Sequence, residues 1–154
     1  MSRFSGVPNK SLTWKAVPPE SLDLSRKRVV VVGGTGGIGR ALSRLMAARG
    51  ARVTIVGRTF READTPGISF MKADLALMSE AQRIGQSLPA EDLDLVVFTT
   101  GIMPGPERVE TSEGIERDLA VSYLSRLVML REIGMRLGKD RTDPAGKPRV
   151  FVMG

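Results

Sequence analysis

Short apolar runs alternate with amphipathic stretches along the chain from Lys27 onward. The first run, Arg28–Val32, contains four consecutive valines, a composition typical of a strand buried on both faces. The stretches between the runs carry apolar residues at helical spacing and end near glycine, proline or polar residues. The pattern predicts five strands, at 28–32, 52–56, 68–71, 93–99 and 150–153, and three helices, at 38–49, 78–87 and 114–137.

Strands that alternate with helices predict an α/β domain with a parallel sheet and helices on both faces, because parallel strands need crossover connections. In the last predicted helix, an apolar stripe is expected to pack on the sheet, and any exposed remainder is available to a partner subunit. The stripe consists of Ile115, Leu119, Leu127, Leu130 and Ile133. Residues 1–25 have three prolines among polar residues and no clear period, so they are predicted to be an extension before the domain at 26–154.

A turn rich in glycine joins the first predicted strand to the following helix. Five of the seven residues from Gly33 to Gly39 are glycine. Glycine allows the backbone to approach a pyrophosphate, and a helix that begins near Gly37 directs free N–H groups and its positive dipole end at that anion. The preceding strand and the following helix therefore favour dinucleotide binding over the alternative of a purely structural turn.

The end of the second predicted strand bears on which dinucleotide is bound. An acidic residue at this point would hold the ribose 2′-hydroxyl of NAD, but the sequence has Arg58 there. A guanidinium binds a 2′-phosphate, which a carboxylate would repel, so NADP is favoured and NAD is less so. Arg40 and Arg61 could add to this charge, and the alternative is that Arg58 only faces solvent.

Several segments occur in an order that resembles the short-chain dehydrogenase/reductase family. They are Leu-Asp-Leu-Ser at 22–25, the turn with Gly33, Gly37, Ile38 and Gly39, Ala-Asp-Leu at 73–75, Thr-Thr-Gly-Ile at 99–102, the segments 111–116 and 120–124, and the run at 149–153. The resemblance extends from about Leu22 to Gly154. It implies a Rossmann-type, doubly wound parallel sheet of strand order 3-2-1-4-5 and hydride transfer between a nicotinamide and a small-molecule carbonyl or alcohol substrate.

The resemblance also implies roles for particular residues. The pyrophosphate would lie against the glycine turn, Thr35 would reach the adenosine side, and Asp74 would accept a hydrogen bond from the adenine amino group with Leu75 beside the ring. For Asp74 the alternative is a helix N-cap. Gly101 would admit the nicotinamide ribose. The predicted cofactor-binding residues are Gly33, Thr35, Gly36, Gly37, Ile38, Gly39, Arg58, Asp74, Leu75, Thr99, Thr100 and Gly101.

The sequence departs from the family at positions that bear on catalysis. Thr99 and Ser122 stand where the family has Asn, and Ser122 is the single catalytic candidate because the family's Asn there holds a proton-relay water. The family's Ser, Tyr and Lys cannot be placed. Tyr123 is the only tyrosine, and Leu127 stands where the family pattern would need Lys.

The catalytic serine is expected just past the fifth strand, where the sequence ends at Gly154. We therefore expect a domain truncated after that strand, from a longer NADP-dependent reductase, that binds cofactor but is inactive by itself. The alternatives are a non-catalytic NAD(P)-binding sensor or scaffold, and a domain for another phosphate-bearing ligand such as a flavin.

Composition narrows the classes of site. Without Cys or His the chain offers no disulfide, thiol nucleophile, Ser-His-Asp triad or structural zinc site, and no metal site is predicted. The net charge of +6 is scattered, which argues against nucleic acid as a partner. No apolar run approaches the roughly 20 residues of a membrane helix, so we expect no membrane partner and a cytoplasmic location. The resemblance makes a homo-oligomer through the 114–137 helix plausible, and Ile102, Met103 and Pro104 could form an apolar rim of the substrate pocket.

Overall fold

The valine-rich strand β1 (Arg28–Val32) lies at the centre of a five-stranded parallel sheet of order β3-β2-β1-β4-β5. The computed structural model describes residues 17–103, 105–140 and 147–153. The other strands are β2 (Arg52–Gly57), β3 (Ile68–Lys72), β4 (Leu95–Phe98) and β5 (Arg149–Val152). The predicted α/β class and strand order are confirmed.

Helices cover both faces of the sheet. They are α1 (Gly37–Ala48), α2 (Met78–Ser87) and α3 (Ser125–Gly134), with a π-helical segment Leu119–Leu124 directly before α3 and short 3₁₀ turns at Pro19–Ser21 and Ala90–Asp92. The prediction for α2 is correct at both ends, and those for α1 and most strands are correct to within a residue. The fourth strand is shorter than the predicted 93–99.

Alternate valines of β1 belong to two separate cores. Val30 and Val32 pack with Phe98 and with buried residues of α2 and α3, including Ile84 and Met129. Val29 and Val31 belong to the other core, with Ile55 of β2 and partly buried residues of α1. This burial on both faces explains why the strand shows a continuous apolar run instead of alternation.

The last predicted helix differs most from the structure. Residues 114–116 are not helical: Gly114 has a φ of +74°, and a single antiparallel bridge joins Glu110 to Glu116. We call residues 109–117 the hairpin. Its backbone bonds run from Thr111 N–H to the Ile115 carbonyl and from Arg117 N–H to the Val109 carbonyl, both at 2.8 Å.

The predicted apolar stripe is therefore wrong in part. Leu119 and Leu127 are 46% and 45% exposed, although Ile133 is buried as expected. The buried line is Ala120, Ser125, Met129 and Ile133. Its first interval is five residues because a π-helical turn holds more residues than an α-helical one, which shifts the buried face along the sequence.

Charged side chains from the segments that flank α3 cap both ends of α2. The Glu113 carboxylate, at the tip of the hairpin, accepts hydrogen bonds from Met78 N–H (2.6 Å), Ser79 N–H (3.2 Å) and the Ser79 hydroxyl (2.6 Å). At the other end, Arg136 Nη2 donates to the Leu88 carbonyl at 2.6 Å. The signs of both charges match the dipole of α2.

The predicted boundary between an extension (1–25) and the domain (26–154) stays a prediction. Residues 1–16, Pro104 and Gly154 lie outside the described residues. Leu24 packs against the core beside α1, and its N–H donates to the Arg49 carbonyl at 2.9 Å. Among the helices of the described ranges, none combines the length and apolar character needed to cross a membrane.

Candidate dinucleotide-binding site

A cleft of about 620 Å³ lies at the carboxyl ends of the strands, beside the glycine turn. Its floor is at the point where the chain moves from β1 outward to β2 on one side and to β4 on the other, which is where open α/β sheets bind ligands. All of the predicted cofactor-binding residues line this cleft. The structure thus brings them together, and their roles in binding stay predictions.

The glycine turn is closely packed on one side and open on the other. A Cβ at Gly39 would overlap the Thr99 hydroxyl and the Gly33 carbonyl. Gly33 has a φ of +89°, and a Cβ there would lie 2.8 Å from Thr99 Oγ1. Nothing lies within 4 Å of a Cβ built on Gly36 or Gly37, both of which line the cleft. A side chain at either position would occupy open space in the cleft and would keep a ligand away from the backbone of the turn.

The N-terminus of α1 faces this open side without a protein cap. Gly36 precedes the helix, no described side chain caps it, and its first turn holds no acidic residue. The first N–H groups of a helix have no partner within the helix and require one. In α2 the Glu113 carboxylate supplies that partner, whereas in α1 the N–H groups and the positive dipole end are available to an anion in the cleft. A dinucleotide pyrophosphate fits this arrangement.

Thr99 supports the turn from below. Its hydroxyl donates to the Val32 carbonyl at 3.0 Å, the last carbonyl of β1. Thr99 stands where the family has Asn, and in this chain its side chain fills the space beneath Gly33 and Gly39. The substitution is therefore compatible with a formed glycine turn.

The residues after Thr99, in the loop that follows β4, are held by two side chains from the π-helical segment and α3. The Arg126 guanidinium donates to the Thr100 carbonyl, and its Nε lies 3.4 Å from the Thr100 hydroxyl. Ser122 Oγ accepts a hydrogen bond from Ile102 N–H at 3.3 Å and donates to Asp118 at 2.6 Å. Burial lowers the pKa of Arg126 below its usual value. These contacts fix the loop on either side of Gly101.

The catalytic candidate Ser122 and the residues of the predicted apolar rim differ in how they lie relative to the cleft. Ser122 is half-buried and bonded on both sides, and it does not line the cleft. Tyr123 is exposed and also lies away from the cleft. Ile102 lines the cleft as expected, Met103 is exposed, and Pro104 lies outside the described residues. The water-holding role of Ser122 stays a prediction.

The end of the cleft that is predicted to hold the adenosine is formed by residues that follow β2 and β3. Arg58 lines it directly after β2, and no carboxylate of the described residues is within ion-pair distance of this side chain. Asp74 is exposed at the cleft, and its carboxylate accepts the Ala76 N–H at 3.1 Å. The alternative that Asp74 caps α2 is wrong, because Leu77 precedes the helix and Glu113 provides the carboxylate.

Arg40, which could have added to the charge near Arg58, is bound elsewhere. Its Nε donates to Glu62, a carboxylate with only 3% exposure that also accepts a hydrogen bond from the Thr65 hydroxyl at 3.0 Å. These contacts hold the pKa of Glu62 below its usual range, and the hydrogen bond from Arg40 has the largest effect. Neither Arg40 nor Arg61 lines the cleft.

Sequence reasoning missed several residues at the cleft, above all Arg117 and Val121. They lie one turn apart, at the end of the hairpin and in the π-helical segment. The sequence pattern predicts one continuous helix over 114–137. It therefore does not indicate that the helix begins at Arg117, after a hairpin, or that Arg117 reaches the cleft. The Thr-Ser-Glu-Gly sequence at 111–114 was the available signal for a turn, and its glycine adopts a positive φ in the structure.

Comparison with known proteins gives a consistent result. The family model for short chain dehydrogenase matches residues 27–141. An uncharacterized oxidoreductase of Saccharomyces cerevisiae is 48% identical over 147 residues, which cover 94% of this chain and 48% of that protein. The chain spans about half the length of the curated relatives it matches.

Solved structures show the same fold. The Pseudomonas aeruginosa RhlG/NADP active-site complex matches with a TM-score of 0.69 and 23% identity over 86% of this chain and 56% of that chain. An NADH-dependent reductase complexed with NAD matches with a TM-score of 0.66 and 21% identity over 84% and 59%. Members with either dinucleotide thus share this architecture. The matched family model and the identity to the yeast oxidoreductase show that this chain belongs to the short-chain dehydrogenase family.

Proposed function

We propose that this chain forms the NADP(H)-binding part of an oxidoreductase that transfers hydride between the nicotinamide and a carbonyl or alcohol substrate. The proposal rests on family membership for the reaction class. The choice of NADP(H) over NAD(H) rests on a single observation, the Arg58 guanidinium at the adenosine end of the cleft.

Arg58 suits a 2′-phosphate by charge and by position. Its guanidinium presents several donors to phosphate oxygens, and no described carboxylate competes for it. An acidic residue at this point would instead accept a hydrogen bond from a free ribose 2′-hydroxyl. The chain has arginine and not an acid there, which favours the phosphorylated dinucleotide.

The other cleft residues would bind and orient the rest of the cofactor. The N-terminus of α1 and the open faces of Gly36 and Gly37 would hold the pyrophosphate. The loop around Gly101, fixed from below by Ser122 and Arg126, would support the nicotinamide half. When bound, the nicotinamide supplies or accepts the hydride.

The experiment that tests the cofactor assignment is titration of wild type and Arg58→Ala with NADPH and NADH by calorimetry. We expect wild type to prefer NADPH, and the substitution to weaken NADPH by about tenfold or more while NADH changes little. Arg61→Ala is the matched control, since Arg61 lies on the same loop but does not line the cleft. Equal affinities for both dinucleotides in wild type and in Arg58→Ala would refute the assignment.

A second candidate is a dinucleotide-binding sensor or scaffold without chemistry of its own. The observation that favours it is the engagement of Ser122: its hydroxyl is bonded to Asp118 and to Ile102 N–H. Steady-state oxidation of NADPH by the full-length protein with a panel of carbonyl compounds separates the two. Turnover supports the reductase, and tight binding without turnover supports the sensor.

A further inference from the structure

The lining of the cleft includes a cation that neither the sequence pattern nor the family membership assigns. Arg117 lines the cleft, is exposed, and has no described carboxylate within ion-pair distance. Val121, one turn further along, also lines the cleft. Apart from Arg58, Arg117 is the only basic side chain among the described cleft-lining residues.

The hairpin fixes where Arg117 lies along the cleft. Its tip residue Glu113 is bonded to Met78 and Ser79 at the start of α2. Residues 74–76, just before that helix, line the end of the cleft that is predicted to hold the adenosine. In the other direction, Asp118, next to Arg117, is bonded to Ser122, which accepts the Ile102 N–H. Arg117 thus lies between these two contacts, and it lines the same cleft as Asp74 and Leu75.

The backbone at Arg117 is held on both sides. Its N–H donates to the Val109 carbonyl at 2.8 Å, and the adjacent Glu116 forms the bridge with Glu110. The Glu116 carboxylate accepts N–H bonds from Asp118 at 2.9 Å and Leu119 at 2.7 Å, which fixes the start of the helical segment. A long side chain on such a fixed base loses less freedom on binding than one on a loose loop.

We propose that Arg117 is a cofactor-binding residue that stacks its guanidinium on the adenine ring. This inference rests on the proposed function. Leu75 and Val121 give the lining of the same cleft an apolar part, which suits a flat purine more than a phosphate. A planar guanidinium stacks on aromatic rings and bases, which an ammonium does less well. The adenine ring is common to both dinucleotides, so Arg117 would add affinity without selecting between them.

The test measures binding of NADPH, NADH, 5′-AMP and nicotinamide mononucleotide to the full-length protein by calorimetry. We expect Arg117→Ala to weaken NADPH, NADH and 5′-AMP each by about two- to fivefold and to leave nicotinamide mononucleotide unchanged. Arg117→Lys, which keeps the charge, should recover little of the loss. Arg108→Ala is the matched control, because Arg108 is paired with Glu110 beside the same hairpin and does not line the cleft.

The outcomes are distinct. If Arg117→Ala bound 5′-AMP as tightly as the Arg108→Ala control does, the inference would be overturned. A loss of affinity confined to NADPH would also overturn it, because it would place the guanidinium on the 2′-phosphate. Full recovery by Arg117→Lys would also overturn the stacking role. If Arg117→Ala proved unstable by melting temperature, the comparison of wild type with Arg117→Lys would decide. Failure of wild type to bind any dinucleotide would instead refute the proposed function itself.

Discussion

At the scale of single residues, the two sides of the glycine turn impose different requirements. Gly39 is confined by Thr99 and by the Gly33 carbonyl, so it has no room for a side chain. Gly36 has an extended backbone with a φ of −156° and open space around it. Gly39 is therefore needed for the fold of the turn, whereas Gly36 is needed only for access of a ligand.

This contrast gives a paired prediction. Gly39→Ala should lower the free energy of unfolding by about 1–3 kcal/mol, because its methyl group overpacks the turn. Gly36→Ala should change stability by less than about 0.5 kcal/mol but weaken dinucleotide binding by about tenfold. Urea denaturation and calorimetric titration of both variants provide the check. A stable Gly36→Ala protein with unchanged affinity would show that the ligand does not approach this side.

Residues at strand ends could be predicted, and those outside the regular elements could not. Arg58 follows a strand whose apolar run is clear, and the carboxyl ends of parallel strands meet at one edge. Asp74 and Gly101 also follow strands, and the resemblance to the family singled them out. Arg117 depends on a hairpin with a single bridge, which leaves almost no periodic signal. Glu62 is an acidic residue in a polar loop, and its burial depends on partners that its local sequence does not indicate, above all Arg40 on the neighbouring helix.

At the scale of elements, α2 is joined to the segments around α3 at both of its ends. Glu113 caps its N-terminus, and Arg136 binds carbonyls at its C-terminus as well as the Glu91 carboxylate, at 2.6 Å from Nε to Oε1. Each charge also lies at the helix end that favours its sign. Helices α2 and α3 should therefore unfold together and not one at a time.

The Glu113 cap yields a stability prediction. Glu113→Gln removes the charge that faces the N–H groups of Met78 and Ser79. The melting temperature should fall by about 2–4 °C. Glu107→Gln serves as the control, because Glu107 is an exposed acid nearby with no polar contact among the described residues. Equal melting temperatures for the two variants would mean that the cap contributes little.

The Glu91–Arg136 pair predicts a dependence on pH. The hydrogen bond from Arg136 lowers the pKa of Glu91 from 4.5 to about 2 in the folded protein. A depressed carboxyl pKa stabilises the fold above the unfolded pKa, and that contribution is lost as the pH falls from about 4.5 towards 2. Glu91→Gln should therefore be less stable than wild type at neutral pH, and the difference should shrink across this range.

Denaturant titrations of both proteins at a series of pH values measure this difference. The other carboxylates with lowered pKa, such as Glu113, are present in both proteins and largely cancel in the comparison. A difference in stability that stays constant from neutral pH down to pH 2 would contradict the assigned role of the pair.

At the scale of the whole molecule, the departure of the last helix from its predicted pattern leaves an apolar line on the surface. Leu119, Tyr123 and Leu127 follow one another at intervals of four and are all exposed. The alternation of apolar runs with helices predicted a parallel sheet, and the resemblance to the family implied its strand order. The sequence could not predict this exposed line, because the π-helical segment changes which residues face the core.

The exposed line supports the prediction of a homo-oligomer through residues 114–137. We expect the full-length protein to sediment as a dimer or larger species and Leu127→Lys to shift it to the monomer, because a charge on an apolar contact is costly to bury. Gln86→Lys, which adds the same charge on the exposed face of α2, should have no effect. A wild-type protein that sediments as a monomer at high concentration would contradict the prediction.

The central position of β1 has a kinetic consequence. Its backbone is paired with β2 on one side and β4 on the other, and its valines are buried in two cores at once. Amides in such a strand exchange with solvent only through the largest unfolding events. The amides of residues 30–32 should therefore be among the slowest in the molecule to take up deuterium. The glycine turn begins at the next residue, Gly33, so the lining of the cleft is attached directly to the strand that we expect to exchange most slowly.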